Sequence, residues 1–339
     1  MANPELYTPE IKRRAIRLAQ EHRQNFLARL HAEFGENDTD VSSEVAFVKE
    51  RFAQTSSLTC EYVFVRDNQR LRLAEVLASD PLFYPIETKN SGAFYNKSLD
   101  AVFVFRNQEM PLEAESFMTR RKFVHELAHS IKLEDSDVKF KGEDFNPYDA
   151  LVKVNKENNI IFVNVTQPRM GLRLVGGWGA FFEEAKAEYI ATAWAKDQLT
   201  QGRFSGIFRQ IYGPDFDPRL TDQLSLRANI PEIGSFSVPL PYLMIDNRGG
   251  LNLSVSTYPL MGLEILCERD PEMLPYFFAA ANGDLESLRE FPKRVDRLLG
   301  KGAYGYLQKR SKDEELKTNF KRGLTYIVKA LGEEVNDIN

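Results

Sequence analysis

Histidine and cysteine are scarce in this chain of 339 residues, which holds four histidines and two cysteines. The cysteines, Cys60 and Cys267, lie in apolar contexts without a CxxC spacing, so a disulfide framework is not expected. They predict buried, reduced thiols in a reducing compartment, although one disulfide between them stays open. With so few histidines, any close pair of them is informative.

Long apolar runs and basic stripes are also lacking. No window approaches the apolar length that a bilayer span needs, and residues 1–22 reach charged side chains early, without the apolar segment of a secretory signal. The net charge is −5, and no Lys/Arg stripe interleaves with aromatic residues. Neither a fixed-period repeat nor a low-complexity tract occurs. These absences favour a cytoplasmic protein without a membrane or nucleic-acid partner, and they leave the oligomeric state open.

What is present is an ordinary globular composition, with 43% hydrophobic and 27% charged residues, at a length that fits one to three domains. Apolar residues recur at helical spacing near the start and in the second half, with β-branched and aromatic runs between. The predicted helices cover 9–34, 45–52, 181–199, 259–267, 285–299 and 312–331. The predicted strands cover 61–67, 100–106 and a hairpin on both sides of 156–159, whereas 213–250 is a Gly/Pro-rich stretch.

The segment FVHELAHSI, residues 123–131, places two of the histidines around a glutamate inside an apolar run. On a helix, His125 and His129 lie on the same face, so both imidazoles can bind one ion at about 2.0–2.1 Å. Glu126 then stands beside that ion, as in the H-E-x-x-H pattern, where the glutamate is the general base towards a zinc-bound water. At this histidine content the pattern is expected by chance about 0.003 times. The segment therefore predicts a Zn²⁺ site.

A catalytic zinc ion takes three protein ligands and keeps one open position. Asp135 is one candidate for the third ligand, because it occupies the last position of the pattern H-E-x-x-H-x-x-G-x-x-D. That pattern needs a glycine where Lys132 stands, since the chain must turn sharply there. The acids Glu134, Asp135 and Asp137 are better explained as solvated residues beyond the helix end.

The other candidate comes from the run FFEEAKAEY, residues 181–189, in a helix that is apolar around most of its circumference and is therefore expected to be buried. Glu184 and Glu188 share one face at spacing i, i+4 and would repel each other without a positive charge opposite. A zinc ion held by the two histidines supplies this charge. We predict Glu184 as the third ligand and Glu188 as the acceptor of an imidazole N–H, with Glu183 as the alternative ligand.

HELAH and FFEEAKAEY together resemble the corresponding segments of gluzincins, a class of zinc metallopeptidases. A weaker similarity is GAFYNKSLDAVFVFR, residues 92–106, directly before the zinc helix. In gluzincins the strand at this place is the edge of the active-site sheet and binds extended substrate by backbone pairing. The resemblance covers about residues 90–200. It implies that substrate pairs along Gly92, Ala93, Phe94 and Tyr95.

The resemblance also implies an oxyanion donor downstream of the glutamate helix. No histidine follows His129, so the histidine that thermolysin uses has no counterpart, and the developing negative charge needs another preorganised hydrogen bond. Aminopeptidase-like members use a tyrosine. Tyr258, at the entrance to a predicted helix, is our choice. The alternatives that stay open are Tyr242, Tyr304, Tyr306 and Arg248.

The predicted fold is α+β and zincin-like, with a small mixed sheet and the active-site helix in an N-terminal lobe and a mainly α-helical C-terminal lobe. The predicted segments are an N-terminal helical segment at 1–50, a catalytic core at 51–200 and a helical lobe at 201–339. The predicted function is a zinc-dependent peptidase acting on a peptide or protein. The alternatives are a zinc hydrolase of a non-peptide amide and a binding or regulatory protein that keeps zinc for structure alone, which a fourth ligand such as Asp135 would favour.

Overall fold

A computed structural model shows a mixed α and β protein that is mostly helical with small sheets. It describes residues 9–36, 39–52, 56–58, 60–80, 92–96, 99–133, 149–154, 160–166, 180–215, 217, 225–230, 234–239, 243–245, 251–282, 284–308 and 316–332. Within these ranges, no helix combines the length and the apolarity that crossing a bilayer requires.

The elements are numbered here in chain order. The helices are α1 Pro9–Phe34, α2 Ser42–Phe52, α3 Arg70–Ser79, α4 Leu112–His129, α5 Ala180–Thr200, α6 Ser205–Tyr212, α7 Thr257–Arg269, α8 Met273–Ala281, α9 Leu285–Leu299, α10 Ala303–Gln308 and α11 Leu316–Leu331. The strands are β1 Ser56–Ser57, β2 Glu61–Arg66, β3 Ala93–Asn96, β4 Ala101–Arg106, β5 Lys132–Leu133, β6 Asp149–Val154, β7 Ile160–Thr166, β8 Ser225–Ile230, β9 Gly234–Pro239, β10 Leu243–Ile245 and β11 Leu251–Leu253.

The chain divides into two compact units that are interleaved along the sequence. The first unit comprises Met1–Asp40, Thr59–Arg106 and Glu134–Pro168, and the second comprises Val41–Leu58, Asn107–Leu133 and Arg169–Asn339. The predicted division into three consecutive segments stays a prediction.

The sheet of the first unit has the strand order β2-β4-β3. The central strand β4 pairs in parallel with β2 and antiparallel with β3. All its residues from Ala101 to Phe105 are buried, which explains why the run is apolar throughout and does not alternate. Helix α3 lies in the crossover that a parallel pair requires. Apolar side chains of α1 and α3 join the sheet in one buried cluster that includes Leu30, Leu77 and Phe103.

The second unit is built mainly from helices. Helix α4 packs against α5, α5 against α7, and α7 against α11. Phe117 of α4 stacks on Trp194 of α5 with ring centroids 5.8 Å apart, and both side chains are buried. Burial of one such large side chain contributes about 1.5–3 kcal/mol. Because the apolar surfaces of α4 and α5 face each other in this way, the two helices hold their polar residues in a defined register.

Two glycines allow α7 and α11 to approach the first turn of α5. A Cβ atom on Gly262 would lie 2.9 Å from Phe181 Cζ, and one on Gly323 would lie 2.5 Å from Phe181 Cε2. Phe181 is buried and stands three residues before Glu184. The close approach of these helices therefore fixes the beginning of the helix that carries the predicted glutamate ligand.

Gly323→Ala is expected to destabilise the protein by up to about 2 kcal/mol, because overpacking costs about 1–3 kcal/mol and the better helix propensity of alanine returns about 1 kcal/mol. The free energy of unfolding in denaturant measures the change. Gly305→Ala is the matched control, since Gly305 lies in α10 and its Cβ would meet nothing within 4 Å. That variant should be neutral or slightly more stable, and an equal gain in both variants would contradict the close packing.

Several sequence predictions are confirmed. Helices α1 and α9 have the predicted bounds, and β6 and β7 form the predicted antiparallel hairpin. The stretch 213–250, where the sequence predicts no regular element, contains β8, β9 and β10. Cys60 and Cys267 are free cysteines, and both are half-buried. They are therefore not joined by a disulfide, whereas the prediction that both side chains are buried is wrong. Lys132 lies in β5.

Candidate metal centre

The last turn of α4 carries the histidine pair. His125 and His129 lie one turn apart, with ring centroids 5.1 Å apart and an interplanar angle of 76°. The neighbouring apolar residues Val124 and Ala128 are buried. Helix α4 ends at His129, where the backbone N–H of Ser130 donates to the Leu127 carbonyl at 2.9 Å. The two histidines therefore lie at the end of a helix whose neighbouring apolar side chains are buried.

Helix α5 brings a carboxylate to both imidazoles. Glu184 Oε2 lies 3.3 Å from His125 Nε2, and Glu184 Oε1 lies 3.5 Å from His129 Nε2. One ligand atom from each of these three residues lies within 4.8 Å of the other two. Ligands of a tetrahedral zinc ion at about 2.1 Å are about 3.4 Å from one another. The two contacts are near this length, although each uses a different Glu184 oxygen, so these three residues could hold one metal ion.

Both imidazoles are held from their other side by a carboxylate. His125 Nδ1 lies 3.0 Å from Glu188 Oε2, and His129 Nδ1 lies 3.2 Å from Glu183 Oε1. A carboxylate only accepts hydrogen bonds, so each Nδ1 carries the proton. Each Nε2 faces Glu184, and an imidazole that loses its Nε2 proton while Nδ1 keeps its own is the tautomer that a metal-binding histidine needs.

Each of these two carboxylates is paired in turn with a buried cation. Arg121 of α4 donates to Glu188 Oε1 at 2.7 Å, and Lys186 of α5 donates to Glu183 Oε1 at 2.8 Å. Both cations are almost completely buried. Sequence reasoning missed these partners, although the spacings Arg121 to His125 and Glu183 to Lys186 place each pair on one helix face.

Glu184 has a third contact, at the start of α7. The Ser256 hydroxyl donates to Glu184 Oε2 at 2.7 Å, and Ser256 is buried. Nothing in the local sequence around Ser256 indicates this contact, which depends on the packing of α7 against α5. This hydrogen bond helps to orient the Glu184 carboxylate towards both histidines.

No protein-family model matches the chain, no curated protein matches it, and no solved structure matches its fold. The resemblance to gluzincins therefore rests on the quoted segments alone.

The charges in this buried cluster depend on one another. Burial by itself lowers the pKa of His125, but its contacts with Glu184 and Glu188 outweigh that effect and raise the pKa from 6.5 to about 10. Burial raises the pKa of Glu184, yet His129 and His125 bring it down to about 2. Burial likewise opposes ionisation of Glu188, and Arg121 and His125 lower its pKa to about 2. Without a metal ion the cluster thus holds a proton on His125 near neutral pH.

Zinc binding to the metal-free protein is expected to release a proton from His125. A ligand imidazole must be neutral, whereas His125 with a pKa of about 10 is protonated at neutral pH and Glu184 is already ionised. The zinc affinity should therefore fall about tenfold for each pH unit below about 10. Titration calorimetry in two buffers of different protonation enthalpy measures the proton count, and a heat that is independent of the buffer would contradict it.

The remaining predicted residues are placed as follows. Glu126 is half-buried on α4 between the histidines. Tyr258 is buried in the first turn of α7, two residues after Ser256. Tyr304 stacks on Phe182 and accepts a hydrogen bond from Gln308 at 2.9 Å, which favours a packing role. Residues outside the described part of the chain are Glu134, Asp135, Asp137, Tyr242 and Arg248.

The predicted substrate strand belongs to the first unit. β3 is an edge strand of its sheet and pairs with β4 through Phe94 opposite Phe103. The carbonyl of Gly92 accepts a hydrogen bond from the Phe105 N–H at 3.1 Å. Backbone pairing of a substrate with Gly92, Ala93, Phe94 and Tyr95 stays a prediction.

Proposed function

We propose that this chain is a zinc-dependent peptidase of the gluzincin type, with a zincin-like core. The observation that carries the proposal is the convergence of two imidazole Nε2 atoms on the Glu184 carboxylate, at 3.3 Å and 3.5 Å, while both Nδ1 atoms contact other carboxylates. Packed helices hold all of these groups, which favours a preorganised centre.

The donor set supports zinc as the cation. Two imidazoles and one carboxylate are the three-ligand set of several catalytic zinc sites, whereas structural zinc sites usually have four ligands from cysteine and histidine. Among the described residues, only the group formed by His125, His129 and Glu184 meets the geometric conditions for holding a metal ion. When bound there, zinc would supply a Lewis acid that polarises the scissile carbonyl and makes a water molecule more acidic.

The chain itself supplies proton transfer and orientation. Glu126 follows His125 on α4, so its carboxylate accepts a proton from the attacking water and passes it to the leaving amine. Tyr258, at the end of α7 that contacts Glu184 through Ser256, donates a hydrogen bond to the developing oxyanion.

The test is metal analysis of the purified protein together with assays on a peptide library. We expect about one zinc ion per chain, cleavage of some peptides, and loss of cleavage with a chelator that added zinc reverses. His125→Ala should lose both metal and activity. His31→Ala is the control, because His31 lies in α1 and does not belong to the group of residues that could hold a metal ion. A zinc-loaded protein that cleaves no peptide would overturn the peptidase and favour the hydrolase of another amide or the binding protein.

A further inference from the structure

Two buried ion pairs lie next to the metal centre, one beside each histidine. The pair Arg121–Glu188 is 2.7 Å long, and both side chains are 1% exposed. The pair Lys186–Glu183 is 2.8 Å long, with side chains 4% and 7% exposed. Each carboxylate also contacts the Nδ1 atom of one histidine. The centre therefore has two matching chains of contacts, each running from a cation through a carboxylate to an imidazole.

Stability alone does not account for these pairs. Removing two charges from water is costly, and replacing a buried ion pair with well-packed apolar residues is often neutral or stabilising. Helix α5 is apolar around Lys186, since Ala185, Ala187 and Ile190 are all buried. A buried lysine at this position therefore costs stability. Its presence is explained if Glu183 has to be charged and held in place beside it.

The histidines give the reason for charged carboxylates. A carboxylate on Nδ1 fixes the tautomer and the ring orientation, and it makes the imidazole a stronger metal ligand. Three carboxylates around two imidazoles would repel one another, and the cations reduce this repulsion for the two that are buried, Glu183 and Glu188. Within the described part of the chain, the contacts of Glu184 are Ser256 and the two imidazoles, and none of them is with Lys or Arg. The negative charge is thus directed to the place of the metal ion.

We propose that Arg121 and Lys186 are positioning residues of the metal centre, each holding the carboxylate that fixes one ligand histidine. This inference rests on the zinc site of the proposed function. Arg121 acts on His125 through Glu188, and Lys186 acts on His129 through Glu183. The guanidinium of Arg121 is itself held by Met244 of β10, whose Sδ lies 2.9 Å from Nη1.

The test compares Zn²⁺ affinities by competition with a chromophoric chelator. Lys186→Met and Arg121→Met should each lower the affinity about 10–100-fold, and Lys186→Arg should restore most of the loss. The visible spectrum of bound Co²⁺ should change in the Met variants, because it reports the geometry of the ligands. Arg120→Met is the matched control: Arg120 neighbours Arg121 and pairs with the buried Glu44 at 2.9 Å, whereas the carboxylates that contact the histidines are Glu183, Glu184 and Glu188. It should bind Zn²⁺ as the wild type does.

A double-mutant cycle separates positioning from general support of the fold. Glu183→Gln removes the charge that Lys186 serves, so the double variant Glu183→Gln with Lys186→Met should bind Zn²⁺ no more weakly than Glu183→Gln alone. Because both charges leave together, this double variant should also stay folded when Lys186→Met does not. Additive losses of affinity would overturn the inference, as would unchanged affinities in folded Met variants.

The outcomes for the two proposals are distinguishable. A wild-type protein that binds no Zn²⁺ overturns both. A wild-type protein that binds Zn²⁺, together with Met variants that bind it equally well, overturns only the positioning role. If the Met variants lose affinity but the zinc-loaded wild type cleaves no peptide, the positioning role is supported and the peptidase is overturned.

Discussion

Glu126→Gln is expected to abolish peptide hydrolysis while the zinc ion stays bound. Glutamine has nearly the same shape as glutamate, but its amide cannot accept the proton of the attacking water. A general base typically contributes about 10²–10⁴-fold to the rate, so kcat/KM should fall by this factor, mainly through kcat. Steady-state kinetics on the best peptide of the library, with zinc content measured on the same sample, provide the measurement.

The matched control for this variant is Glu113→Gln. Glu113 is an exposed glutamate in the first turn of the same helix, far along the chain from the histidines, so kcat/KM and zinc content should both be unchanged. A Glu126→Gln protein that keeps most of its activity with full zinc would show that another group takes the proton. A protein that loses its zinc would instead give Glu126 a role in holding the metal ion.

Local spacing was enough to predict the central residues of the site. Two histidines and two glutamates, each pair at i, i+4, must lie on single helix faces, and burying them is costly without a shared partner. The structure brings His125, His129 and Glu184 together, and it places Glu188 on an imidazole. The helical spacing of residues in the sequence predicts these neighbours because α4 and α5 are long helices that pack along apolar faces.

The contacts made across the fold could not be predicted in the same way. Ser256 lies 72 positions after Glu184 in the chain, and no local sequence pattern links the two residues. Glu183 was predicted only as an alternative ligand, because a sequence shows two adjacent carboxylates without showing which one faces the metal ion. Its contact with His129 Nδ1 depends on the rotation of α5 against α4, which tertiary packing sets.

The same limit applies to the prediction of the fold from the sequence. α1 and β4 were predicted because one has a long amphipathic stripe and the other a buried apolar run. Helix α8 has the sequence MLPYFFAAA, which is apolar nearly throughout, so no periodic contrast marks it as a helix. β10 and β11 have three residues each, too few for an alternation to be recognised. The interleaving of the two units depends on long-range contacts that local patterns do not contain.

Glu184→Ala is expected to release the zinc ion. The substitution removes one of the three proposed protein ligands, so the zinc affinity should fall by more than the about 10–100-fold that is typical when the hydrogen-bond partner of a ligand is lost. Competition with a chromophoric chelator measures the affinity at a fixed pH. Ser256→Ala should have a smaller effect, because it removes only a hydrogen bond that orients Glu184.

Asp135→Ala is the decisive comparison for this assignment. Asp135 is the rival third ligand that follows from the H-E-x-x-H-x-x-G-x-x-D pattern, and the lysine at position 132 argues against it because the turn between the ligands needs a glycine. We expect Asp135→Ala to bind zinc as tightly as the wild type. Retention of zinc by Glu184→Ala together with its loss from Asp135→Ala would make Asp135 the third ligand in place of Glu184. Loss of zinc from both variants would indicate four protein ligands, and such a closed site has no open position for catalysis.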